Sequence, residues 1–173
     1  MSIATTLNAM DEPDARAALT NCCAAEAWIE GMLTQRPFGD DATVLAAASA
    51  VAAKLGEADW LEAFAAHPLI GDVDSLRKKY AATKHRAAGE QTGVGGAAEA
   101  TLAELAALNR QYAERFGFIF IVFATGKSAA EMLAILKGRI GNTRDEELKN
   151  AAAEQLQITR LRLQKLAAAG DNS

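Results

Sequence analysis

The chain has two histidines, His67 and His85. Histidine is the side chain whose ordinary pKa lies nearest neutrality, so it can take up and return a proton within one reaction cycle. His67 stands in the run Ala63-Phe64-Ala65-Ala66-His67-Pro68-Leu69-Ile70-Gly71-Asp72. Proline disfavours helical backbone in the residue before it, so a helix arriving here ends at or just before His67. The imidazole then sits at a helix C-terminus, where the macrodipole favours its protonated form. Two roles stay open: facing a cavity from irregular chain, or capping the last carbonyls of its own helix. His85, in Lys84-His85-Arg86, lies in a solvated basic stretch.

Three other stretches hold chemistry of a different kind. In Lys84 to Gln91 a carboxylate, Glu90, is followed by an amide, Gln91, and then by the glycine-rich Thr92-Gly93-Val94-Gly95-Gly96. Such a stretch can hold a polar ligand with side chain and backbone together, or be an ordinary solvent-facing helix end. Phe118-Ile119-Phe120-Ile121-Val122-Phe123 reads as core, but Gly117 precedes it and helices flank it. Buried N–H groups in an irregular segment need acceptors, which a ligand can supply. Arg162 is one turn from Ile158 and Leu166, on or beside an apolar face. There a guanidinium either snorkels to water or grips an anion, a carboxylate taken bidentately being the natural one. There is no His-x-x-x-His pair, no cysteine cluster, no P-loop, no strand–glycine–helix dinucleotide signature and no Ser/His/Asp hydrolase motif, so no metal or cofactor is expected.

The elements that must position these residues read as helices. Alanine supplies 40 of the 173 residues and has the best intrinsic helix propensity; prolines number three. The expected class is all-α, a single compact bundle of about eight or nine helices forming one domain over residues 1–173. Helices are expected over Ile3–Ala9, Asp14–Cys23, Ala24–Thr34, from a cap at Asp40 or Asp41 to Leu55, and over Glu57–Ala66, with Trp60 and Phe64 one turn apart. Asp72–Tyr80 and Ala81–Gln91 follow, then a loop over residues 92–96. Ala97–Phe116 is the clearest amphipathic helix, with Leu102, Leu105, Leu108 or Asn109, Tyr112 and Phe116 at helical spacing. Phe118 to Phe123 is either a buried helix turn or an extended insert. Ser128 caps a helix to Arg139, and Thr143 with Glu146 forms a capping box for a last helix to about Ala168.

A net charge of −4 and a pI near 5.3 argue against a nucleic-acid partner. The longest apolar run, Phe116 to Ala124, is too short to span a bilayer, so no membrane association is expected. The N-terminus has no signal-peptide pattern. Adjacent Cys22 and Cys23 make a poor disulfide framework and read as reduced and packed, which points to the cytoplasm.

Taken in order, these pieces resemble the 2-oxo-4-hydroxy-4-carboxy-5-ureidoimidazoline (OHCU) decarboxylases of urate degradation. The matching pieces are Trp28-Ile29 with Arg36-Pro37-Phe38, Trp60 through Gly71, Gly89-Glu90-Gln91, Asn109-Arg110-Gln111-Tyr112 leading into Phe116-Gly117-Phe118, and Ile158 with Leu161-Arg162-Leu163. The resemblance implies an all-helical, cofactor-free lyase that forms (S)-allantoin and is usually a homodimer. It gives His67 the acid/base role with Glu90 assisting. It lines the substrate with Pro68, with Ala87, Ala88, Gly89 and Gln91, and with Phe118, Ile119, Phe120, Ile121, Val122 and Phe123. It sets Arg162 against a substrate anion or carbonyl. Two positions depart from the family's common pattern: Ala87 where serine is usual, and Ile119 where many members carry proline.

The implied chemistry suits these residues. The ureidoimidazoline substrate carries a carboxylate and a hydroxyl on one ring carbon beside a C=N bond. The C=N accepts the electrons released with CO2, so neither pyridoxal nor metal is required. The protein has to orient the carboxylate, stabilise the electron-rich ring and deliver one proton to one face. Two other readings accommodate the same residues: a cofactor-free lyase or isomerase of another small heterocycle, and a non-catalytic helical interaction module.

Overall fold

The computed structural model describes residues 1–84 and 94–169. Among these residues are nine α-helices and no strand, as the all-α expectation requires. They are α1 (Ile3–Ala9), α2 (Glu12–Cys22), α3 (Glu26–Leu33), α4 (Asp41–Ala52), α5 (Glu57–Ala65), α6 (Val73–Lys84), α7 (Val94–Phe116), α8 (Ala129–Arg139) and α9 (Arg144–Ala169). The chain divides into two compact units. One comprises residues 1–66 with α9 from Asn150 onward, and the other is His67–Lys149.

Side-chain caps set several starts. Asp40 accepts from the Thr43 N–H at 2.7 Å and opens α4. Ser128 and Glu131 close a capping box on α8, and Thr143 with Glu146 does the same for α9. Elsewhere the boundaries shift. α2 begins at Glu12 rather than Asp14, because Asp11 supplies the cap and Pro13 lies in the first turn, where no N–H is needed. α6 runs through the expected break at Tyr80–Ala81, where no glycine or proline stands. α7 starts at Val94, so Val94-Gly95-Gly96 is helix and not loop. Glycine's propensity cost of about 1 kcal/mol per residue is offset along a long alanine-rich helix.

In the first unit, Leu7, Leu19, Trp28, Ile29, Met32, Val44 and Leu163 share one buried cluster. The Trp28 indole N–H donates to the Ala48 carbonyl at 3.1 Å. Gly31 lets α3 and α4 approach closely: a Cβ there would lie 2.4 Å from Val51 Cγ1. Trp60 and Phe64 stack with centroids 6.2 Å apart.

On α9 the buried row is Glu147, Ala151, Gln155, Thr159 and Leu163. The row of Ile158, Arg162 and Leu166, read as the apolar face, is only half-buried beside it. Three of the five buried residues are polar, so hydrophobicity alone points one position away. Thr159 Oγ1 is satisfied by its own helix and by the Cys22 carbonyl at 3.3 Å.

In the second unit, α7 buries Leu102, Leu105, Tyr112 and Phe116, the face its periodicity predicts. Tyr112 gathers Phe116, Phe118 and Phe120 at centroid distances of 4.5, 6.0 and 5.4 Å. Residues 118–124 form neither helix nor strand, which removes the helix-turn alternative and leaves an irregular insert.

Candidate functional site

α5 ends where Pro68 predicts. Ala66 is its C-cap, and His67 follows in a bend as the first residue of the second unit. His67 is half-buried, and Pro68 and Leu69 are exposed. The far end of this strap is anchored twice. The Arg110 guanidinium donates to the Gly71 carbonyl, and Asp72 accepts from the Ser75 N–H at 2.7 Å as α6 begins. The Ser75 hydroxyl and amide hold the Asp72 carboxyl below its usual range. His67 therefore begins a short non-helical strap whose far end is held by α6 and by Arg110 of α7.

The stretch from Phe118 to Phe123 joins α7 to α8. Phe118 and Ile121 are buried; Ile119, Phe120, Val122 and Phe123 are half-buried. The segment is tied at its carbonyls. Arg139 Nη1 donates to Ile121 O at 2.8 Å, and Lys127 Nζ donates to Phe123 O at 2.6 Å. Behind Arg139 stands a fully buried carboxylate, Glu147. It accepts from Arg139 Nε at 2.8 Å, from the Asn142 amide at 2.8 Å and from the Tyr112 hydroxyl at 2.5 Å. Burial, then the Glu147 carboxylate, pushes the Tyr112 phenol well above its ordinary value, so it stays a donor.

Arg162 lies half-buried on α9 in the first unit. Its Nη1 donates to the Asn21 carbonyl at 3.2 Å, one of the carbonyls in the last turn of α2. It also lowers the thiol pKa of Cys22 and Cys23, but burial outweighs it: Cys22 is pushed up to about 12, and Cys23 also rises. Ala87, Ala88, Gly89, Glu90 and Gln91, with His85, lie outside the described residues.

Arg139, Glu147, Asn142 and Lys127 were not singled out by sequence. Their spacing carries no motif: Arg139 pairs with Glu147 of another helix and with a loop carbonyl, Asn142 joins a turn to α9, and Lys127 bonds a carbonyl within its own loop. The one available signal is that Glu147 heads a row of five residues on α9, each four positions after the last, that the structure buries. Among the described residues no group of His, Cys, Asp and Glu could hold a metal ion, and no helix is long and apolar enough to cross a membrane. A half-buried imidazole on a fixed strap can serve as an acid and base, and main-chain N–H groups on an irregular segment can stabilise an oxyanion.

A family model described as OHCU decarboxylase matches residues 8–164. The chain belongs to the OHCU decarboxylase family. The matched span runs through both compact units. Among curated relatives, the chain is 37% identical over 145 residues to the uric acid degradation bifunctional protein TTL of Arabidopsis thaliana, covering 84% of this chain and 45% of that one. It is 36% identical over 104 residues to the 2-oxo-4-hydroxy-4-carboxy-5-ureidoimidazoline decarboxylase of Amia calva, covering 58% and 57%. The chain thus spans about half the length of these two relatives. A crystal structure of an OHCU decarboxylase in the presence of (S)-allantoin superposes with a TM-score of 0.68 at 35% identity, covering 86% of this chain and 96% of that chain. A crystal structure of (S)-allantoin synthase shares the fold, with a TM-score of 0.69 at 19% identity, covering 96% and 54%.

Proposed function

We propose that this chain decarboxylates 2-oxo-4-hydroxy-4-carboxy-5-ureidoimidazoline to (S)-allantoin in urate degradation. The observation that carries the reading is the 35% identity across 96% of a solved OHCU decarboxylase crystallised with (S)-allantoin. His67 acts as the acid/base group. It takes the hydroxyl proton as the carboxylate leaves as CO2, and it returns a proton to the ring carbon. The freed electron pair passes into the adjacent C=N, whose nitrogen takes the one further proton from solvent, so the ring is its own electron sink and no cofactor takes part. Glu90 supports the imidazole through its charge. Pro68, residues 87–91 and residues 118–123 line the substrate, and Arg162 meets one of its oxygens.

The protein acts as a homodimer, an assignment that rests on the family resemblance. The buried free thiols of Cys22 and Cys23 support a reducing cytoplasm. The deciding experiment adds the protein to freshly made product of uricase and hydroxyisourate hydrolase and follows circular dichroism. One allantoin enantiomer is expected to accumulate faster than the spontaneous decay. Decay at the spontaneous rate, or a racemic product, overturns the reading.

A further inference from the structure

Among the described residues, the main-chain N–H groups of Ile119, Phe120, Ile121 and Val122 donate no hydrogen bond. Main-chain donors on partly buried residues need an acceptor from water or from a ligand. The carbonyls of the same stretch are treated in the opposite way. Ile121 O is held by Arg139 and Phe123 O by Lys127. Both cations also cover rings of the segment. The Arg139 guanidinium carbon lies 4.8 Å from the Phe120 centroid, and Lys127 Nζ lies 5.4 Å from that of Phe123. Arg139 is itself fixed by the buried Glu147, which Tyr112 and Asn142 hold in turn. A rigid planar fork can serve the Glu147 carboxylate, the Ile121 carbonyl and the Phe120 face together in one orientation only.

We propose that Arg139 and Lys127 are positioning residues, which hold the Ile121 and Phe123 carbonyls so that the N–H groups of residues 119–122 are presented to a ligand bearing carbonyl or carboxylate oxygens. Glu147 is the anchor that orients Arg139. The inference rests on the assignment, under Proposed function, of this segment to the substrate wall. It adds to that assignment a physical device that keeps an irregular wall in one conformation without regular secondary structure.

Three variants test it in the intact protein. Arg139→Lys keeps a cation beside Glu147, so no buried carboxylate is orphaned. One ammonium cannot also reach the Ile121 carbonyl and cover Phe120 in the same way. Lys127→Met removes the hold on Phe123, and Lys127→Arg keeps a cationic donor. The readouts are KM for the enzymatically generated ureidoimidazoline, the Kd of (S)-allantoin by calorimetry, and the melting temperature. Arg139→Lys and Lys127→Met are expected to raise KM and the allantoin Kd about tenfold, the effect of losing one charge-assisted hydrogen bond, and Lys127→Arg to restore both to within about twofold. A merely structural role lowers melting temperature and active fraction but leaves the KM of the surviving molecules unchanged. Lys137→Ala is the control, since Lys137 pairs at 2.6 Å with Glu104, an exposed residue outside the segment. Should Arg139→Lys fail to fold, the two Lys127 variants decide alone. Unchanged KM and allantoin affinity in the folded variants overturn the inference while the proposed function stands. A wild-type protein that does not accelerate the decarboxylation overturns the function, and this inference with it.

Discussion

His67 leaves the helix that carries it because its covalent neighbour is a proline, and the strap it begins is then anchored by Arg110 and Asp72. His67→Ala is expected to abolish accelerated decarboxylation while far-UV circular dichroism stays helical, and His85→Ala to change the rate little. Undiminished turnover in His67→Ala removes the acid/base assignment. A second residue-scale expectation concerns Cys22, whose thiol burial raises from the ordinary 9.0 to about 12. The folded state holds this proton more tightly than the unfolded chain does. The stabilisation is therefore complete below pH 9 and is lost as pH rises towards 12. Urea titrations at stepped alkaline pH should show a steeper loss of stability in the wild type than in Cys22→Ala; equal slopes contradict it. A Cys22→Ala, Cys23→Ser double variant should keep its turnover, since neither thiol enters the proposed chemistry. The place of His67 was legible in sequence because Pro68 acts on the adjacent residue. The environment of Arg162 was not, because its bonded carbonyl, Asn21, lies 141 residues away.

At the scale of elements, the starts of α4, α8 and α9 were legible because the capping groups lie within three or four residues of the N–H groups they satisfy. The row that α9 buries was not, because Glu147 and Thr159 are polar and become admissible only when partners arrive from other elements, Arg139 for the first and the Cys22 carbonyl for the second. Helix contact also yields a stability test. Gly31 lies within α3 beside the stiff, β-branched Val51. Gly31→Ala gains about 1 kcal/mol of helix propensity. Overpacking against Val51 is expected to outweigh this gain, for a net loss of about 1–2 kcal/mol in urea unfolding. Adding Val51→Ala should restore the benefit of the alanine relative to the Val51→Ala single variant. A stabilised Gly31→Ala single variant would show that α3 and α4 part without strain.

At the scale of the whole molecule, the proposed reaction needs only side chains, main-chain donors and a substrate with its own electron sink. Exhaustive dialysis against a strong chelator is therefore expected to leave turnover intact; activity lost and restored only by added metal would point to a different lyase. The helical class was already present in the amino-acid sequence, because alanine content, caps and 3.6-residue periodicity act over a few neighbouring residues. So was the ordered set of short pieces that resembles the OHCU decarboxylases, because each piece is contiguous. Tertiary structure alone decided how residues 118–123 are held. Their composition reads simply as core, and the cations that grip their carbonyls come from the following loop and from α8. It alone decided that Glu147 is buried, because the cost of desolvating a carboxylate is met by Tyr112 from α7 and by Arg139 and Asn142 from the end of α8 and the turn after it.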